Sequence, residues 1–148
     1  MPILSSSALP ALSVLSPLFA LAACATSAAA PPPASEPVPA PPITRTLVQH
    51  ADVAELPGWE TRLYLIEYDP GVAAPLHHHP VAGLGYVLTG SFESAFAGEA
   101  PVTVRAGEGF ADRPLAPHTL FRNSDPARPL RFLMSYTVRK GAPVVETP

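Results

Sequence analysis

The chain has little cysteine, little charge and no helical rhythm, and each shortage excludes something. Cys24 is the one cysteine among 148 residues, so no disulfide can form within the chain. Zinc sites of four cysteines, or of two cysteines and two histidines, are excluded with it. Charged residues make up 14% of the chain, the formal net charge is −3, and no block of like charge occurs, so nothing points to nucleic acid. The first 44 residues contain no lysine or arginine; Arg45 is the first basic residue. No internal repeat stands out. No window of adequate length places apolar residues at the spacing of a helix face.

What is present is proline and a short apolar leader. Residues 8–24 are small and apolar, and Pro10 and Pro17 interrupt them, which makes them too short for a membrane-spanning helix. Their position and length fit a secretory signal peptide over 1–24. Residues 31–42 are mostly proline. A chain of this kind is semi-rigid at about 3.1 Å per residue, so 25–43 acts as a tether reaching about 50 Å; a disordered segment with no spacing role has the same composition. Residues 44–148 remain, the size of one compact domain.

The leader ends in Leu21-Ala22-Ala23-Cys24, which resembles the bacterial lipobox. That resemblance implies lipidation of Cys24, with diacylglycerol on the sulfur and a further acyl chain on the amine. Two or more chains anchor stably, at about 0.8 kcal/mol per buried methylene. Ala25 rather than aspartate follows, which by the same resemblance implies an exported, periplasmic protein anchored in the outer membrane, with no other membrane contact. Met1 to Ser7 carry no positive charge. An ordinary cleaved signal ending near Ala28-Ala29-Ala30, with Cys24 discarded, also fits.

The remainder reads as all-β. Predicted strands cover 61–68, 85–89, 91–96, 102–105, 110–112, 119–122 and 130–138, with turn signals such as Asp69-Pro70-Gly71, Gly90, Gly98 and Gly107 between them. In 130–138, Leu130, Phe132, Met134 and Tyr136 fall on one face. Many short strands at this spacing indicate a sandwich or barrel.

Five histidines are present, three of them consecutive at His77-His78-His79; His118 follows in Ala116-Pro117-His118. In an extended strand His77 and His79 face one way and His78 the other. Gly71, five residues, His77-His78-His79 and then Gly90 form one motif; Gly107, Pro114, His118 and Asn123 form a second. Together they resemble the cupins. The resemblance implies a single-domain jelly-roll β-barrel of antiparallel strands over 44–148, with His77, His79 and His118 holding one divalent transition metal (Fe, Mn, Ni or Zn). The family's glutamate ligand falls at Gly83, its second-motif glycine at Leu115, and its asparagine one residue early relative to Asn123.

Asp112 is the better candidate for a fourth ligand; Glu93 is expected on the solvated surface. Tyr86, Phe110, Phe121, Phe132 and Tyr136 are candidates to line a pocket, with core packing as the alternative. Trp59 either covers one barrel end or staples its strand. Arg122, Arg131 and His50 are expected at the surface. The resemblance implies a small-molecule ligand or substrate and pairing through sheet edges into a homodimer. Three functions stay open: a dioxygenase or isomerase acting on a small molecule, a barrel that binds a small ligand or metal without turnover, and a structural or interaction domain.

Overall fold

The computed structural model describes residues 42–148. The leader, Cys24 and residues 25–41 of the tether lie outside the described residues. Eight strands follow in order: β1 (Ile43–Asp52), β2 (Trp59–Tyr68), β3 (Gly83–Thr89), β4 (Ser91–Phe96), β5 (Val102–Arg105), β6 (Gly109–Asp112), β7 (His118–Asn123) and β8 (Leu130–Arg139). They form a five-stranded sheet, β1-β2-β8-β3-β6, and a three-stranded sheet, β5-β4-β7. Every ladder is antiparallel. No helix among the described residues is long and apolar enough to cross a membrane.

The core lies between the sheets because alternate residues of each strand point there. On β8, Leu130, Phe132, Met134, Tyr136 and Val138 are buried, while Arg131, Thr137 and Arg139 are exposed. From the small sheet, Phe92 stacks on Phe121 at 4.3 Å between ring centroids and meets Phe110 edge-on at 4.8 Å. Fully burying an aliphatic or phenyl side chain of this size contributes about 1.5–3 kcal/mol. Residues of the second cupin-like motif hold the frame. The Asn123 amide donates to the carbonyls of Asp69 at 3.0 Å and Arg128 at 2.9 Å, tying two turns to the end of β7.

Three expectations change. β1 is a strand that the sequence pattern does not announce, because its register slips between Leu47 and Gln49 and most of it is exposed at the sheet edge. The histidine run is not a ladder strand. His77, His78 and His79 make isolated bridges to His118, Glu146 and Pro114; Pro75 and Pro80 flank them and lack the N–H a longer ladder needs. Its alternation survives, with His77 and His79 buried and His78 half-buried. Tyr86 does not face a pocket. On β3 the inward positions are Gly83, Gly85 and Val87, so the pleat turns Tyr86 outward, where it is half exposed.

Leu115 occupies the position of the family's glycine, and its φ is 60°. This left-handed backbone costs a non-glycine residue about 1–2 kcal/mol, and the exposed side chain recovers little by packing. Leu115→Gly is expected to raise stability by about 0.5–1 kcal/mol after the added unfolded-state entropy is subtracted, read as a higher urea midpoint at unchanged slope.

Candidate metal centre

Three segments bring the histidines together. His77 and His79 sit on the extended run before β3, and His118 opens β7. The His118 N–H donates to the His77 carbonyl at 2.7 Å, which ties the two segments directly. One ring nitrogen from each of His77, His79 and His118 lies within 4.8 Å of the others, and all three residues are buried.

The outward-facing nitrogens are occupied, and that sets the tautomers. His77 Nδ1 donates to the Pro75 carbonyl at 2.8 Å, and His79 Nδ1 donates to the Val144 carbonyl at 2.7 Å. A carbonyl can only accept, so the lone pair of each neutral ring is on Nε2. His118 Nε2 lies 2.7 Å from Ser94 Oγ, and His118 Nδ1 is buried with no partner among the described residues. Placing the proton on Nε2 leaves that orphaned Nδ1 as a third lone pair. Hydrogen bonds to the far ring nitrogen are how protein metal ligands are oriented. The residues therefore fit a metal: an orphaned buried acceptor is what a bound ion would satisfy.

Asp112 completes the group. It is buried, with Oδ2 at 3.1 Å from His79 Nε2 and Oδ1 at 4.0 Å from His118 Nδ1. Because His79 Nδ1 holds the proton, Nε2 and the carboxylate oxygen are two acceptors facing one another. They sit stably only across a shared proton or cation. Tyr136 donates its hydroxyl to Asp112 Oδ2 at 2.8 Å and stacks on His79 at 5.4 Å, so it holds both.

The register explains where the family's glutamate has gone. Gly83 on β3 pairs directly with Asp112 on β6. A Cβ at Gly83 would lie 2.4 Å from Tyr136 Cε1 and 2.5 Å from Met134 Cε. The Tyr136 ring occupies the space a glutamate side chain would need, and the neighbouring strand presents a carboxylate instead.

Burial shapes the electrostatics. It pushes the His118 imidazole down to about 3, reinforced by the charges His77 and His79 would carry; burial also lowers His77. Between pH ~6.5, the ordinary imidazole value, and the depressed values, the unfolded chain takes up protons that the native chain does not. Metal-free protein is thus expected to lose stability as pH falls through this window and to be level above it. Glu60, Glu99 and Asp125 are lowered by their hydrogen bonds to Arg62, Arg113 and the Ala127 N–H respectively, and their loss acts in the same direction at lower pH. A urea midpoint that drops between pH 7 and 5 isolates the histidines; no change across that interval would contradict their burial as neutral groups.

Other expected site residues fall elsewhere. Phe121 and Phe132 are core, Phe110 packs against them, and Tyr136 braces His79. None of these four lines the cavity beside the histidines. Glu93 pairs with Arg122, Arg131 with Glu67, and His50 with Glu60, all at the surface. His78 turns away and bonds Glu146 at 3.0 Å. Trp59 lies under the Arg139 guanidinium at 5.2 Å, across the β2–β8 ladder, and staples that ladder end.

Sequence reasoning missed Ser94, Val144 and Arg45. A cavity of about 260 Å³ opens beside His77, lined by Arg45, Tyr68, Pro75, Val145 and Thr147 among others. A larger cavity of about 620 Å³ lies around the β3–β4 turn, lined by Arg105, Asp125 and Arg128, and holds no histidine. The smaller one is the relevant one, because a ligand in it touches His77.

Comparison with known proteins agrees with this architecture. Residues 64–136 match the family described as Cupin domain. No curated protein matches the chain. Among solved structures, an uncharacterized conserved protein with a double-stranded beta-helix domain from Klebsiella pneumoniae is 19% identical over 70% of this chain and 82% of its own, with TM-score 0.54. A cupin superfamily protein from Desulfitobacterium hafniense is 9% identical over 65% and 77%, with TM-score 0.52. A recombinant oxalate oxidase in complex with glycolate is 23% identical over 71% of this chain, which spans 54% of that enzyme, with TM-score 0.53. The described strands form an antiparallel jelly roll of the cupin fold, and residues 64–136 of it are similar to the cupin domain family.

Proposed function

We propose that this chain is an exported metal-binding cupin protein whose His77, His79 and His118 hold one divalent transition metal (Fe, Mn, Ni or Zn), with Asp112 as the carboxylate beside them. The single observation that carries the reading is the buried, partnerless Nδ1 of His118, facing the same space as two Nε2 atoms whose rings are locked by carbonyls. A metal bound there supplies Lewis acidity and lowers the pKa of bound water. The chain's residues then do the positioning. Val144, Pro75 and Ser94 fix the rings, Tyr136 holds Asp112, and the aromatic core behind His118 excludes water.

A cavity of about 260 Å³ suits a small ligand, which supports a small-molecule dioxygenase or isomerase and equally a barrel that binds such a ligand without turnover. The likeness of residues 1–24 to a signal peptide with a lipobox at Cys24 supports export of the domain to the periplasm on an outer-membrane lipid anchor. Exposed Leu84, Tyr86 and Leu88 on the outer face of β3 suit pairing into a homodimer. Elemental analysis of the protein, purified without a polyhistidine tag, tests the metal reading. About one metal per chain is expected; protein that stays metal-free after incubation with Fe, Mn, Ni and Zn would end it.

A further inference from the structure

Arg45 is on β1, and its ladder partner is Ile66 on β2. Directly opposed residues share a face of the sheet. Ile66 is buried, so Arg45 projects from the interior face although it is exposed at the edge. Among the described residues it makes no salt bridge and no side-chain hydrogen bond, whereas Arg62, Arg113, Arg122, Arg128, Arg131 and Lys140 are each paired with a carboxylate; Arg105 and Arg139 also lack a carboxylate partner, but neither lines this cavity. Arg45 lines the cavity beside His77.

Tyr68 adds an independent observation. It is 5% exposed and lines the same cavity; its hydroxyl has no hydrogen-bond partner among the described residues and is not sealed in the core, so it opens on that cavity. Burial pushes this phenol up to about 12, so it stays protonated and can donate. An unpaired guanidinium and an unpaired phenol O–H thus open on one small space whose wall is a candidate metal ligand. A guanidinium fork beside a hydroxyl donor, with no carboxylate lining the cavity, matches a carboxylate.

We propose that Arg45 and Tyr68 form an anion subsite beside His77, and that the ligand of the metal centre is a small carboxylate. Its carboxylate accepts from the Arg45 guanidinium and the Tyr68 hydroxyl while the rest of it reaches toward the histidines. This assignment of substrate class rests on the function proposed above. The competing role for Arg45 is that of an inward-pointing charge that keeps an edge strand from pairing with another chain.

Isobutyrate and isobutyramide have nearly the same shape and differ in charge. The test is calorimetric titration of the full chain with each, in chelator-treated and zinc-loaded forms. Isobutyrate is expected to bind both forms, at least about tenfold more tightly than the amide. Arg45→Met and Arg45→Gln are expected to bring isobutyrate down to the amide's level and to leave the amide unchanged. Tyr68→Phe is expected to weaken isobutyrate by a smaller factor. Equal binding of the two probes, no binding of isobutyrate, or an unchanged isobutyrate affinity in both Arg45 variants would overturn the subsite; in the last case, new self-association would assign Arg45 to edge protection. Failure to take up zinc while Arg45-dependent binding persists in the chelator-treated form would overturn the metal reading and leave the subsite standing.

Discussion

His118→Ala is expected to lower metal affinity by more than the 10–100-fold that removing a residue bonded to a metal ligand typically costs. Among the described residues, His118 contributes the one ring nitrogen that is buried and unpartnered. The variant removes that atom along with the ring packed on Phe96 at 4.4 Å and Phe121 at 5.3 Å. Ser94→Ala separates the two effects. It leaves the imidazole in place and removes only the hydroxyl on Nε2, so its loss should stay near tenfold. Equilibrium dialysis against zinc with a competing chelator ranks the three proteins: native tightest, Ser94→Ala next, His118→Ala weakest. Equal affinity in native and His118→Ala protein would remove His118 from the ligand set.

Gly83→Glu restores the family's residue and is expected to damage the site. The added Cβ alone would meet Tyr136 Cε1 at 2.4 Å. That ring cannot retreat cheaply, because it stacks on His79 and its hydroxyl holds Asp112. Overpacking of this kind costs about 1–3 kcal/mol, and burying a second carboxylate beside Asp112 raises the total to about 3 kcal/mol or more. Metal affinity should fall as well, since His79 and Asp112 lose their brace. Adding Tyr136→Ala opens the space, so the double variant should be less destabilised than the sum of the two single variants. Urea unfolding of all four proteins measures this coupling. Strict additivity, or tighter metal binding by Gly83→Glu alone, would show that Tyr136 does not stand in the glutamate's place.

The parts of this site that were legible in the sequence are those that lie close together in it. Spacing around Gly71, His77, His79 and Gly90, and around Gly107, Pro114 and His118, announced the three histidines and the cupin fold. Most strand positions followed from apolar alternation and turn glycines. What remained hidden depends on pairing across the fold. Asp112 was already preferred over Glu93, but its place opposite Gly83 and beside His79 depends on strand register that the sequence does not display. Val144 acts through its backbone carbonyl, which carries no side-chain signal. Arg45 lies on an edge strand whose alternation a bulge interrupts. Tyr86 misled because aromatic residues in a short strand do not reveal which face they occupy; the inward glycines of β3 decide that.

The central claim is that His77, His79 and His118 converge on one ion with Asp112 beside them. X-ray absorption of the full chain, purified without a tag and loaded with zinc, tests it most directly. The account predicts three imidazole nitrogens at about 2.0–2.1 Å with the remaining shell oxygen, and two imidazoles after His118→Ala. A zinc shell with fewer than three imidazoles in the native protein would contradict it.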